Sequence, residues 1–157
     1  MIRFYVLLFV AVVSVSAPVL AKSCYSSAEA EAEQAIRIHS ELMVIGLNCQ
    51  HMTPRGWKNF YQQYREITNN YSRTISGYES TLISYYNQSG NGERKMHDLR
   101  TSFANETSTN IARMRPDVFC AKFSPRIPKV ANMSRTEFVD WIKASASTQR
   151  LSKPLCQ

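Results

Sequence analysis

The chain opens with a single base, Arg3, then an apolar run from Phe4 to Val13, closed by the small-residue site Val19-Leu20-Ala21. That order is an export signal, with cleavage expected after Ala21. Cleavage after Ala17 also satisfies the small-residue rule but leaves Pro18 directly after the cut. The run is shorter than the roughly 20 residues of a spanning helix, and Ala21-Lys22-Ser23 before Cys24 does not resemble a lipidation box. The expectation is a leader, 1–21, and one domain, 22–157, of ordinary single-domain size that is not transmembrane once processed.

Beyond the leader the apolar positions recur with helical spacing. Ser26 followed by Glu29 forms a capping box. From there Ala28, Ala32, Ala35, His39, Leu42, Gly46 and Cys49 mark one narrow face, alanine-rich at its start. A second helix is predicted from Pro54, capped by Thr53, to about Asn87. Its stripe is Trp57, Phe60, Tyr64, Ile67, Tyr71, Thr74, Tyr78, Thr81 and Tyr85, with Gly77 as the weak point where it would bend or break. Ser89-Gly90-Asn91-Gly92 is a turn.

A third helix is predicted from Glu93 to about Arg115, stopped by Pro116. Met96, Leu99, Phe103, Ala104, Ile111 and Met114 form its apolar side, and Asn105, Glu106, Thr107 and Asn110 interrupt it. Pro116 to Met133, which contains Pro125 and Pro128, is read as an ordered connection pinned by Val118, Phe119, Phe123, Ile127 and Val130. The last helix starts at Ser134, with Glu137 as capping partner and Met133 able to staple onto Phe138. With no strand pattern, the predicted fold is all-α: an antiparallel bundle of about four helices.

The expected export changes the meaning of Cys24, Cys49, Cys120 and Cys156. In an oxidising compartment they form a disulfide framework rather than metal ligands or nucleophiles. Four cysteines allow three pairings, which sequence alone does not decide. The helix order favours Cys49–Cys120 at one end of the bundle and Cys24–Cys156 joining the termini.

Charge is uneven. Between Cys24 and Cys49, Glu29, Glu31, Glu33 and Glu41 outnumber Arg37, whereas the rest of the mature chain is strongly basic. The bases are scattered singly, so they permit an anionic surface or an acidic protein as partner without specifying one, and nucleic acid is not expected. His39 and Glu41 resemble part of a zinc-deaminase signature, but the Pro-Cys-x-x-Cys element it requires is missing. Cys49, His51 and Met52 would suit a soft metal only if Cys49 were reduced. His97 and Asp98, as adjacent helical residues, diverge by about 100° and do not form a catalytic pair. Four Asn-x-Ser/Thr triplets, at Asn70, Asn87, Asn105 and Asn132, are read as incidental. The polar run Asn105, Glu106, Thr107 and Ser108 is the sharpest local anomaly. It is expected either to bond to the first helix around His39 and Glu41 or to hold a small ligand there. No catalytic residue, metal or cofactor is expected.

Glu33 to Cys49, and Phe103 to Ser108 followed by Phe119-Cys120, resemble a group of small exported proteobacterial helical proteins. The resemblance implies a bacterial periplasm and supports pairing Cys49 with Cys120. It implies no activity. The expectation is a non-enzymatic periplasmic or secreted protein that binds an envelope protein or an anionic surface. The alternative is a small-ligand or metal-binding protein using the His39/Asn105 region.

Overall fold

Helix α1 (Ser27–Cys49) runs through the middle of the molecule and is packed by α2 (Phe60–Asn70), α3 (Ser72–Asn87), α4 (Gly92–Met114) and α7 (Arg135–Ala146). The computed structural model describes residues 23–156, so the expected leader lies outside the described residues. All regular elements among these are helical, joined by the short helices α5 (Pro116–Phe123) and α6 (Arg126–Ala131). A lone parallel bridge pairs Tyr25 with Leu155.

The narrow stripe expected for α1 is not what the packing shows. Ala32, Glu33, Gln34, Ala35 and Ile36 are all buried in succession, so the helix is enclosed on every side. Its alanines let several neighbours approach at once, and Glu33 and Gln34 are carried inward with them. The capping box is present: Glu29 N–H donates to Ser26 Oγ at 3.4 Å, and Ser26 N–H to Glu29 Oε2 at 2.6 Å.

The predicted second helix is two helices. It does not begin at Pro54. Asn59 caps α2, accepting from Gln62 N–H at 2.8 Å, while Gln62 Oε1 accepts from Asn59 N–H at 3.1 Å. Gly77 is not the break either; it lies inside α3, and the interruption is at Tyr71 (φ −105°, ψ 11°). Asn69 and Asn70 just before it have weak helix preference. Tyr71 is also held from outside: its hydroxyl donates to the Met133 carbonyl at 2.5 Å, and its ring stacks on Phe138 with centroids 4.2 Å apart.

The segment from Pro116 to Met133, expected as a connection, is largely helical. Pro116 occupies the first turn of α5, and Pro128 falls in the first turn of α6, where a missing N–H breaks no helical bond. Phe119, Ile127 and Val130 are buried from these helices. α7 opens on the expected box, Glu137 N–H to Ser134 Oγ at 3.2 Å and Ser134 N–H to Glu137 Oε2 at 2.7 Å.

The chain thus runs along α1, back along α2 and α3, forward along α4, and back through α6 and α7 to a tail beside the start of α1. Cys49–Cys120 fastens one pole and Cys24–Cys156 the other, with Cα separations of 5.4 and 5.1 Å. No described helix is long and apolar enough to cross a membrane.

Candidate functional site

His39, on α1, faces α2. Its Nε2 lies 3.0 Å from the Tyr64 hydroxyl and 3.2 Å from Thr68 Oγ1, and Thr68 itself donates to the Tyr64 carbonyl at 3.1 Å. Because the Thr68 proton is committed to that carbonyl, Nε2 meets Thr68 Oγ1 as a donor, and a neutral ring protonated at Nε2 fits the network. Burial, assisted by the positive charge of Arg100, lowers the His39 pKa to about 4.

Glu41 is two residues further, about 200° around the helix, and pairs with Arg126 of α6 at 2.9 Å. Burial raises its pKa despite the opposing charges of Arg126 and Arg37. Glu106 of α4 bonds to Arg37 at 2.7 Å, and the Arg37 guanidinium lies 4.0 Å over the Phe103 ring. Thr107 is buried, but its hydroxyl donates within α4 to the Phe103 carbonyl at 3.0 Å. Asn105 and Ser108 are exposed. The structure therefore places Glu106, and Glu33 at 3.9 Å, on Arg37 and pairs Glu41 with Arg126, while His39 bonds to α2 on the other side of α1. The expected link between α4 and α1 consists of Glu106 alone; Thr107 satisfies itself, which is why that polar residue is tolerated inside.

A second polar network has no signature in residue spacing, because its partner comes from the tail. Glu33 is fully buried and accepts from both Ser152 N–H, at 2.8 Å, and the Ser152 hydroxyl. The Tyr25 hydroxyl is 2.8 Å from that of Tyr86 and 3.1 Å from Ser152 Oγ. Backbone bonds from Tyr25 N–H to Pro154 O and from Cys156 N–H to Tyr25 O complete a clasp around the Cys24–Cys156 bond. Burial raises the Tyr25 pKa, so it remains a neutral donor.

The largest departure from core behaviour is at the other pole. Thr53 to Asn59 form a loop in which Trp57 N–H donates to Pro54 O at 3.2 Å and Gly56 has φ +88°. Positive φ at the third residue is the type II turn, and Gly56 at that position is its sequence signature. Thr53 does not cap a helix here; its Oγ1 accepts from Phe60 N–H at 3.1 Å and folds the loop back. The turn leaves Trp57, expected on the buried stripe, 71 % exposed. Beside it is a groove of about 230 Å³, lined by Pro54, Trp57, Phe60, Pro125 and Pro128 among others.

Leu47, Met52 and Val118 are also large, apolar and exposed, and each lies within three residues of Cys49 or Cys120. Charge gathers at the same pole. Residues 47–59 and 112–126 hold Arg55, Lys58, Arg113, Arg115, Lys122 and Arg126 against one acid, Asp117. The described residues hold 17 Lys and Arg and 12 acids, so these two segments account for the whole positive excess. Asp117 pairs with Arg115, Glu66 with Lys58 and Glu41 with Arg126. Arg55, Arg113 and Lys122 have no carboxylate partner within 4.0 Å among the described residues. Among these residues there is also no group of three His, Cys, Asp or Glu placed to hold a metal.

No protein-family model, curated protein or solved structure matches the chain.

Proposed function

We propose that this is an exported protein of the periplasm or cell envelope that acts by binding, and that the pole around Cys49–Cys120 is its binding face. One observation carries the reading: at this pole exposed apolar side chains coincide with cations that no carboxylate neutralises. Elsewhere among the described residues charge balances, and Leu155 is the one further large apolar residue left exposed. A face of this composition suits an anionic surface or an envelope protein. The expected leader and the two disulfides support an oxidising compartment. The alternative ligand site around His39 and Asn105 gains less support, because those side chains serve internal partners or stand in solvent.

The reading is tested by placing a photo-crosslinking amino acid at position 57, and separately at exposed Ser76 on α3, in intact cells. A discrete adduct, to protein or lipid, is expected from position 57 and not from position 76. Equal labelling from both positions, or none from position 57, removes the pole as the binding face.

A further inference from the structure

We infer that the occupant of this pole is an anionic phospholipid bilayer, met at headgroup depth with Trp57 as the anchor; the identification rests on the binding face proposed above. The type II turn projects an indole between Arg55 and Lys58, its near neighbours in the chain. Whatever depth the ring reaches, Arg55 is carried to the surrounding headgroups with it. Met52 precedes the turn, and across the disulfide Val118 stands between the Arg115–Asp117 ion pair and Lys122, with Arg113 just upstream. Large apolar residues therefore alternate with bases on both sides of the disulfide.

That alternation separates the possible occupants. The buried centre of a protein interface takes Trp, Met and Arg but is depleted of lysine, and this pole carries Lys58 and Lys122 among its apolar residues. A bilayer interface takes the mixture: tryptophan at the headgroup level, aliphatic side chains just below, and Lys or Arg among lipid phosphates. The nearby carboxylates already pair with Arg115, Lys58 and Arg126, so little at this pole repels an anionic surface. The Cys49–Cys120 bond ties the turn's base to α5, so docking requires no folding step. Trp57 is the positioning anchor; Arg55, Arg113 and Lys122 supply the charge selectivity.

The test is co-sedimentation with vesicles of phosphatidylglycerol and phosphatidylethanolamine, compared with phosphatidylcholine alone. Mass spectrometry ensures that all proteins compared have the same N-terminus, because the leader is itself apolar. Binding to the anionic vesicles is expected, weakening in high salt. Trp57→Ala should weaken it about tenfold or more. Replacing Arg55, Arg113 and Lys122 together by Gln should weaken it about a hundredfold, at about fivefold per base. In a Trp141→Phe background, Trp57 emission should shift to the blue with anionic vesicles only. Equal binding to both vesicle types, or full binding by folded Trp57→Ala, overturns the inference. Absence of lipid binding together with a protein or glycan adduct from position 57 overturns the lipid identification and leaves the binding face standing. Absence of both overturns both.

Discussion

His39 should make the fold sensitive to mild acid. The ring is held neutral by burial and by the charge of Arg100, with its pKa lowered from the ordinary 6.5 to about 4. In the unfolded chain it takes up a proton near its ordinary pKa. Between these limits the unfolded state therefore binds more protons, and stability falls as pH falls. The contribution is complete above about pH 6.5 and is gone below about pH 4. At about 1.36 kcal/mol per pH unit the interval is worth roughly 3 kcal/mol, a large part of the about 5–15 kcal/mol that holds a domain of this kind.

The assay is urea unfolding followed by circular dichroism between pH 7.5 and 4, with both disulfides intact. The wild type is compared with His39→Gln, which keeps a group able to meet Tyr64 but does not titrate. Other groups titrate in the same window. Glu41, with its pKa raised, favours the folded state as pH falls, whereas Glu137, with its pKa lowered, opposes it. Both are common to the two proteins and cancel in the difference. The wild type should lose about 3 kcal/mol more than the variant, a relative midpoint shift of about 1–2 M urea. Parallel pH dependences would show that His39 is not held neutral by its burial, and the account of this contact would fail.

Two glycines should respond oppositely to alanine. A Cβ on Gly46 would lie 3.2 Å from Tyr64 Cβ and 3.3 Å from the Phe60 carbonyl, where α1 and α2 meet, so Gly46→Ala should lower thermal stability by about 1–3 kcal/mol. A Cβ on Gly77 meets nothing within 4 Å inside α3, so Gly77→Ala should raise it by roughly 0.5–1 kcal/mol. Replacing Cys24 and Cys156 together by serine opens a link spanning 132 positions and should lower the unfolding free energy by about 4–5 kcal/mol on the chain-entropy account. Hydrogen exchange at the Tyr25 and Cys156 amides should rise in the same variant; unchanged protection would mean that the Glu33–Ser152 network holds the tail unaided.

Features set by neighbouring residues were readable in advance. The boxes at Ser26 and Ser134 depend on a partner three positions away, and both are present. The disulfide pairs followed from helix order, because Cys24 and Cys156 flank the first and last helices, Cys49 ends α1 and Cys120 follows α4. Misreadings arose where one residue suits two local structures. Pro54 fits the first turn of a helix as well as the start of a type II turn, and Gly56 with its positive φ decides for the turn. The prolines after Arg115 suggested a connection, yet Pro116 and Pro128 sit in first turns, where proline costs a helix nothing. Alanine on α1 satisfies one stripe or full enclosure equally well, and only the surrounding helices distinguish them. The Glu33–Ser152 contact spans 119 positions, and no periodicity encodes it. For the candidate site, the bases and Trp57 were visible in the chain, but their gathering at one pole comes from the helix packing that also brings Cys49 to Cys120.

The exposure of Trp57 contrasts with the treatment of the other aromatic rings. Tyr25, Tyr64, Tyr71 and Tyr86 are buried with their hydroxyls bonded, and Trp141 is half-buried against Phe138 at 6.4 Å between centroids. Leaving one indole in water forgoes roughly 1.5–3 kcal/mol of burial, and leaving Arg55, Arg113 and Lys122 unmatched adds mutual repulsion. Neither choice helps folding, so stability and binding should separate at the two tryptophans. Trp57→Ala should change the urea midpoint by no more than about 0.5 kcal/mol equivalent while abolishing most vesicle binding. Trp141→Ala should lower stability by about 1–3 kcal/mol and leave vesicle binding intact. A Trp57→Ala protein destabilised as much as Trp141→Ala would place Trp57 in the packing of the fold, and the case for an exposed binding pole would lose its anchor.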